Sequence, residues 1–235
     1  MGIDSTGCRV SPMTKHNLLK HMPTKAVARP GLVIPKPDFQ WIELSIEGTA
    51  PLMIHKFSTK AQTEMRATQE AGSQAKSKTK RDPKDFESLC EGARHISMEG
   101  WDGIHAGCFR NAAISACRTA GYVMTKAKLA IFIECDGYDA ENNPLVRIQD
   151  AEGNNAVPVM SVMPCRNATG VIDLRSRPTY NPWFAKLKVK FDNGMLSQED
   201  VTNLIQRVGL QVGVGEGRPD SRQSAGIGYG MFKVL

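Results

Sequence analysis

The C-terminal segment QVGVGEGRPDSRQSAGIGYGMFKVL combines an unusual freedom of the backbone with positive charge. Gly213, Gly215 and Gly217 alternate with other residues, and Arg218 and Arg222 follow them. Glycines leave backbone amides unobstructed, and guanidinium groups bind phosphate oxygens through paired donors. Such a loop suits a polyanion, although the same glycines would also allow tight packing between a helix and a strand. The segment lacks the lysine and Ser/Thr of a Walker loop, and it follows a predicted helix, which excludes a Rossmann fingerprint.

A second candidate for contact with nucleic acid is the stretch IDLRSRPTYNPWF. It places Arg175 and Arg177 shortly before Tyr180 and Trp183. Guanidinium groups next to aromatic rings offer both phosphate pairing and base stacking. The alternative is that Trp183 anchors the start of the following strand in the core.

That following strand, FAKLKVKF, is predicted from strict alternation of apolar and basic residues. Lys186, Lys188 and Lys190 share one face, which either contacts phosphates or is simply a solvated strand surface. The other face carries the apolar residues and is expected in the core: Ala185, Leu187, Val189 and Phe191.

Two histidines at the boundaries of predicted elements are weak candidates for catalysis. His55 lies in LMIHKF and His105 lies in GIHAGCF. If they converge, they could act as general base and acid in metal-independent RNA cleavage. A histidine at an element boundary more often has a capping or packing role.

No metal or redox site is predicted, and no cofactor. The six cysteines form no CxxC pair and have no histidine at metal-ligand spacing, so we expect reduced thiols. The chain contains no apolar run of about 20 residues, the length that crosses a bilayer, so we expect a cytoplasmic protein without membrane contact. The scattered carboxylates are predicted to be surface charges: Asp102, Glu134, Asp136 and Asp173.

The composition predicts one large domain with a basic arm. The chain has 235 residues, 41% of them hydrophobic, and a net charge of +6, which favours an acidic partner such as nucleic acid. Residues 1–37 are basic and rich in proline, and they are predicted to be a mobile arm. Residues 38–235 then form a single domain, with a polar helical insertion at about 59–100.

The order of elements predicts an α+β fold. FQWIELSIEG is a strand, CFRNAAISACRTAG a helix ending at Gly121, and KLAIFIEC and PLVRI are strands, whereas residues 149–162 read as a loop up to a short apolar stretch around Val159 to Met163. A second helix begins after Ser197, which is placed as N-cap with Asp200 three residues later, and YGMFKVL is a closing strand. This order is typical of a modified ferredoxin-like (RRM-like) antiparallel sheet with helices on one face.

Two stretches resemble a known family. GVGEGRPDSRQSAGIGYGMFKV resembles the C-terminal glycine-rich loop and final strand of the RAMP superfamily, RNA-binding proteins that include backbone subunits of CRISPR effector complexes. WDGIHAGCFRNAAISACR resembles the segment with which these proteins enter their first helix. The resemblance implies a modified ferredoxin-like fold, binding to single strands without sequence specificity, and head-to-tail assembly. It leaves open a CRISPR subunit or a stand-alone relative from a phage or mobile element.

We therefore expect a non-enzymatic protein that binds single-stranded RNA or DNA and oligomerises along it, in a bacterial cell or a phage-infected host. Sequence alone does not distinguish RNA from DNA, because a contact with the 2′-hydroxyl leaves no spacing signature. The alternatives are a metal-independent endoribonuclease of RAMP type and a phage structural or assembly protein. The residues expected to contact nucleic acid are the arginines, lysines and glycines named above: Arg175, Arg177, Lys186, Lys188, Lys190, Gly213, Gly215, Gly217, Arg218 and Arg222.

Overall fold

The computed structural model describes most of the chain from residue 34 onwards. Residues 1–33 of the predicted basic arm lie outside the described residues. Arg222 of the predicted site also lies outside them. The fold below is that of the unit Pro37–Leu235. The described residues are 34–57, 59–70, 72, 83–166, 172–221 and 226–235.

The described residues form antiparallel strands and α-helices, and a short π-helical turn (Val208–Val212) follows the last helix. The helices are α1 (Thr59–Glu70), α2 (Phe86–Glu91), α3 (Ala106–Ala120), α4 (Met124–Ala130) and α5 (Gln198–Arg207). The strands are β1 (Phe39–Gly48), β2 (Leu52–Met53), β3 (His95–Ile96), β4 (Asp102–His105), β5 (Ile131–Glu134), β6 (Gly137–Tyr138), β7 (Pro144–Arg147), β8 (Val159–Arg166), β9 (Ile172–Tyr180), β10 (Phe184–Asp192) and β11 (Phe232–Val234).

The predicted α+β class is confirmed. The largest element of the core is a four-stranded sheet in the order β11-β1-β10-β5, which we call the central sheet. Every neighbouring pair of strands in it is antiparallel. Two further antiparallel sheets have the orders β2-β9-β8 and β3-β4-β7-β6, and the architecture includes a curled half-barrel sheet. The apolar face of β1 and β10, with Leu44 opposite Leu187, joins α3 and α5 in one hydrophobic core.

The end of α3 and the start of α5 lie where the sequence predicts. The small apolar stripe of α3, which includes Phe109 and Ala113, is buried, and Gly121 ends the helix with a left-handed φ of 71°. Ser197 caps α5 in a complete capping box, because its hydroxyl accepts from the Asp200 N–H and the Asp200 carboxylate accepts from the Ser197 N–H.

Two sequence predictions about strands are wrong in part. The strand predicted as KLAIFIEC begins only at Ile131, because Lys128 and Ala130 belong to the end of α4. The segment predicted as a loop contains the start of β8, which pairs along its length with β9. Val159 and Val162 of β8 are exposed, so this strand lacks the alternation between buried and polar residues by which strands are recognised.

The predicted polar insertion contains helices in its described parts. The described side chains of α1, from residue 62 to residue 70, are exposed, whereas α2 is capped by Asp85 and buries Cys90. The insertion also holds β3, whose His95 is buried. Its C-terminal part is therefore packed into the domain.

Candidate nucleic-acid interface

The glycine-rich segment is packed by backbone hydrogen bonds. The Glu216 N–H donates to the Met53 carbonyl at 2.9 Å, and the Val214 N–H donates to the Gly230 carbonyl at 3.0 Å. Gly215 has a left-handed φ of 77°, and a Cβ at this position would lie 2.4 Å from the Met53 carbonyl oxygen. A close approach between two backbones is therefore one reason for glycine here.

The other two predicted glycines also have left-handed φ angles, 70° for Gly213 and 79° for Gly217. The Gly213 N–H donates to the Val208 carbonyl at 2.8 Å, so this amide is already used within the fold. The prediction that these glycines present amides to phosphate stays a prediction.

Beside this segment lies a cleft of about 300 Å³, which we call the central cleft. Two neighbouring depressions adjoin the central cleft. The first shares Cys108, Gly215 and Arg218 with it and also contains Arg118. The second shares His55 with it and also contains Arg175. The central cleft is lined by Ile54, His55, His95, Ile104, His105, Cys108, Gly215, Glu216 and Arg218. Residues from β3, β4, α3, the segment directly after β2 and the glycine-rich segment thus meet at one place.

His55 and His105, predicted from sequence as a possible pair, line the same cleft. His105 caps α3, because its Nδ1 accepts from the Gly107 N–H at 2.9 Å. Burial and the neighbouring Arg177 guanidinium lower the pKa of His55, although Glu216 opposes them. His55 is therefore neutral at physiological pH unless a bound anion raises its pKa.

A third histidine of the cleft, His95, escaped the sequence analysis. Its ring lies 6.4 Å from that of His105, centroid to centroid, and its Nδ1 lies 3.3 Å from Asp139 Oδ2. Burial lowers the pKa of His95 more than Asp139 raises it. Burial raises the pKa of Asp139, but hydrogen bonds from Asn143, His95 and Lys56 outweigh it and hold that pKa below its usual range.

The predicted arginines differ in their availability. Arg177 is only 8% exposed, and its Nε donates to Glu216 Oε2 at 2.7 Å while its Nη1 donates to the Ser176 carbonyl at 2.9 Å. Arg218 lines the central cleft and donates one Nη1 bond to the Gly215 carbonyl at 3.0 Å. Arg175 lines the adjoining depression.

The sequence analysis missed a further cation, Arg118, which lines the depression on the other side of the central cleft from Arg175. Its side chain is 56% exposed, and its Nη2 donates to Asp220 Oδ1 at 2.6 Å. The Ser115 hydroxyl also contacts this carboxylate, and these contacts lower the pKa of Asp220. Helical spacing alone did not single out Arg118, because its position at the cleft depends on contacts with the distant glycine-rich segment.

The predicted lysine row lies at a different place. Lys186 and Lys188 line a depression that shares no lining residue with the central cleft and that also contains Glu43 and Asp136. Lys188 Nζ lies 3.1 Å from Asp136 Oδ1, and this contact raises the pKa of Lys188. Lys190 Nζ lies over the Phe39 and Trp41 rings, 4.9 and 5.3 Å from their centroids. Acidic and aromatic neighbours thus accompany this row.

The aromatic residues near Arg177 belong to the core. Trp183 is fully buried and its Nε1 donates to the Ala50 carbonyl at 2.8 Å, which confirms the alternative interpretation of an anchor for β10. Tyr180 is also buried, and its hydroxyl donates to Asp102. The prediction of Asp102 as a surface charge is wrong, since it is 4% exposed and accepts two further bonds from Arg94.

Within the described ranges, no group of three or more acidic, histidine or cysteine side chains is arranged to hold a metal ion. Over the same ranges, none of the helices has the length and apolar character needed to span a membrane. No protein-family model matches the chain, and no curated protein matches it either.

Proposed function

We propose that residues 38–235 bind single-stranded RNA or DNA in the central cleft, and that copies of the chain assemble along the bound strand. The observation that carries this proposal is the placement of Arg175, Arg218 and Arg118 along the central cleft and its two neighbouring depressions, beside the glycine-rich segment. Cationic grooves that follow a backbone are typical of proteins that bind single strands. Assembly along the strand rests on the resemblance to the RAMP superfamily.

In this proposal the phosphates follow Arg175, Arg218 and Arg118 through the three adjoining depressions. The ion pair between Arg118 and Asp220 does not oppose this, because exposed ion pairs contribute only about 0–1 kcal/mol and a phosphate can replace the carboxylate. Arg177 is buried and already paired, so we expect it to shape the cleft from behind.

We also propose that the fold is ferredoxin-like. The strand order β11-β1-β10-β5 supports this, because it places the last, first, third and second strands of the core side by side, all antiparallel. The connections support it too, since α3 lies between β1 and β5 and α5 lies between β10 and β11. Both helices join the same core.

A salt titration of binding tests the proposal. Fluorescence anisotropy of a labelled single strand gives the affinity, and its logarithm should fall with the logarithm of salt concentration by about 0.7 for each neutralised phosphate. Three phosphate contacts would give a slope of about −2. Arg218→Ala should weaken binding and bring the slope about 0.7 closer to zero, whereas Lys233→Ala, which removes a cation paired with Glu47 on β1, should leave it unchanged. Absence of binding at low salt would reject the proposal and favour an assembly protein.

A second candidate function is metal-independent cleavage of RNA. It is favoured by the three histidines that line the central cleft, together with Arg218. Cleavage through the 2′-hydroxyl needs a base, an acid and a cation near the phosphate, and imidazoles supply the first two near neutral pH.

Incubation of labelled RNA with the protein and a metal chelator tests this second function. Cleavage products that disappear in His55→Ala or His95→Ala would support an enzyme. Intact RNA, under conditions in which anisotropy shows the strand to be bound, would leave binding as the function.

A further inference from the structure

A carboxylate, that of Glu216, lies within the central cleft. Glu216 stands between Gly215 and Gly217, and its backbone is held by the hydrogen bond to the Met53 carbonyl. Its side chain lines the central cleft, where the proposed function requires phosphates. A negative group at this place weakens every nearby phosphate contact. Its presence there therefore needs a functional reason.

Only one oxygen of this carboxylate is engaged. Oε2 accepts from Arg177 Nε at 2.7 Å and lies 3.7 Å from His55 Nδ1. Oε1 accepts no hydrogen bond from any residue in the part of the chain that the structure describes. The side chain is 25% exposed, so a ligand in the cleft can reach it.

An ionised carboxylate accepts hydrogen bonds and donates none. Its partner on a nucleotide must therefore be a neutral O–H or N–H group, and a phosphate is excluded by charge. Three such donors occur on the nucleotides of a single strand, namely the ribose 2′-hydroxyl, the exocyclic amino group of a base and the imino N–H of uracil, thymine or guanine.

Building on the proposed function, we propose that Glu216 determines ligand specificity, with its Oε1 accepting a hydrogen bond from a hydroxyl, amino or imino donor of the bound nucleotide. The group is preorganised for this task. Arg177 holds the carboxylate and is itself held by the Ser176 carbonyl, and the flanking backbone is held by Met53. A hydrogen bond to a charged group at a partly exposed site discriminates between ligands with and without the donor by about tenfold.

Four homopolymers of equal length separate the three donors: oligo(rC), oligo(dC), oligo(rU) and oligo(dU), each of about 12 nucleotides. A ribose contact predicts that each RNA binds about tenfold more tightly than the matching DNA. An amino contact predicts that each cytosine polymer binds about tenfold more tightly than the matching uracil polymer, and an imino contact predicts the reverse, because uracil carries N3–H and cytosine does not.

The variant Glu216→Ala should bring the affected ratio close to one. Affinity for the disfavoured polymers should stay the same or rise, because repulsion of the phosphates is removed. A merely structural role would instead lower all four affinities in proportion. Glu216→Gln keeps an acceptor for Arg177 and serves if the alanine variant does not fold. It should reduce the affinity ratio between polymers with and without the contacted donor, while raising affinity for all four polymers. Glu47→Ala, which removes a carboxylate paired with Lys233 on the central sheet, is the matched control and should keep the wild-type ratios.

The outcomes separate the two proposals. Equal binding of all four polymers by the wild-type protein, or wild-type ratios in both Glu216 variants, would overturn the role of Glu216 and leave single-strand binding intact. No binding of any polymer at low salt would overturn the proposed function, and this inference with it.

Discussion

Replacing Gly215 by alanine should destabilise the domain by about 2–3 kcal/mol. A left-handed φ costs an alanine about 1–2 kcal/mol relative to glycine, and Gly215 has a φ of 77°. The new Cβ would also lie 2.4 Å from the Met53 carbonyl oxygen, well inside contact distance, so the two backbones must separate. Separation weakens the bond between the Glu216 N–H and Met53, which contributes about 1 kcal/mol.

Gly228 offers a matched control in the same segment. Its φ of 82° is also left-handed, but a Cβ there would meet no atom of the described residues within 4 Å. Gly228→Ala should therefore cost only the strain of about 1–2 kcal/mol. Urea unfolding of the three proteins, analysed from midpoint and slope, measures the difference. Equal losses for the two variants would refute the argument that close backbone approach requires Gly215.

Two further predictions concern stability away from the cleft. Ser197→Ala should lower the free energy of unfolding by about 1 kcal/mol, because it removes the side-chain half of the capping box with Asp200. Urea unfolding measures this loss, and an unchanged midpoint would contradict the role of the cap. Contacts from Ser115 and Arg118 lower the pKa of Asp220, so its stabilising effect is complete above the ordinary carboxyl pKa of about 4 and is lost as the pH falls through the lower folded-state pKa. The stability difference between the wild-type protein and Asp220→Asn should therefore shrink as the pH falls below about 4, and a constant difference in unfolding free energy across that range would contradict it.

Features with local sequence signals could be predicted. The alternation in β1 and β10, the capping box at Ser197 and the glycine at 121 each depend on residues a few positions apart. The hairpin of β8 and β9 carries no such signal, because exposed apolar residues in β8 replace the usual alternation. Local patterning therefore yielded the central sheet and its helices, and missed an element that is defined by pairing.

The candidate site could be predicted only in outline. His55, His105 and Arg218 were recognised by their types, and they line one cleft. Other side-chain contacts at the cleft join residues that are distant in sequence: Glu216 lies 39 residues from Arg177, and Asp139 lies 44 residues from His95. No spacing rule links such pairs, because the fold alone brings them together.

Photocrosslinking tests the central claim most directly. A bromouracil-substituted single strand is irradiated with the wild-type protein, and the crosslinked peptides are identified by mass spectrometry. Binding in the central cleft predicts crosslinks to His55, His105 or Cys108. Crosslinks confined to the sheet surface around Trp41, which is 57% exposed and lies opposite Lys190, would contradict the claim and place the strand on the lysine row.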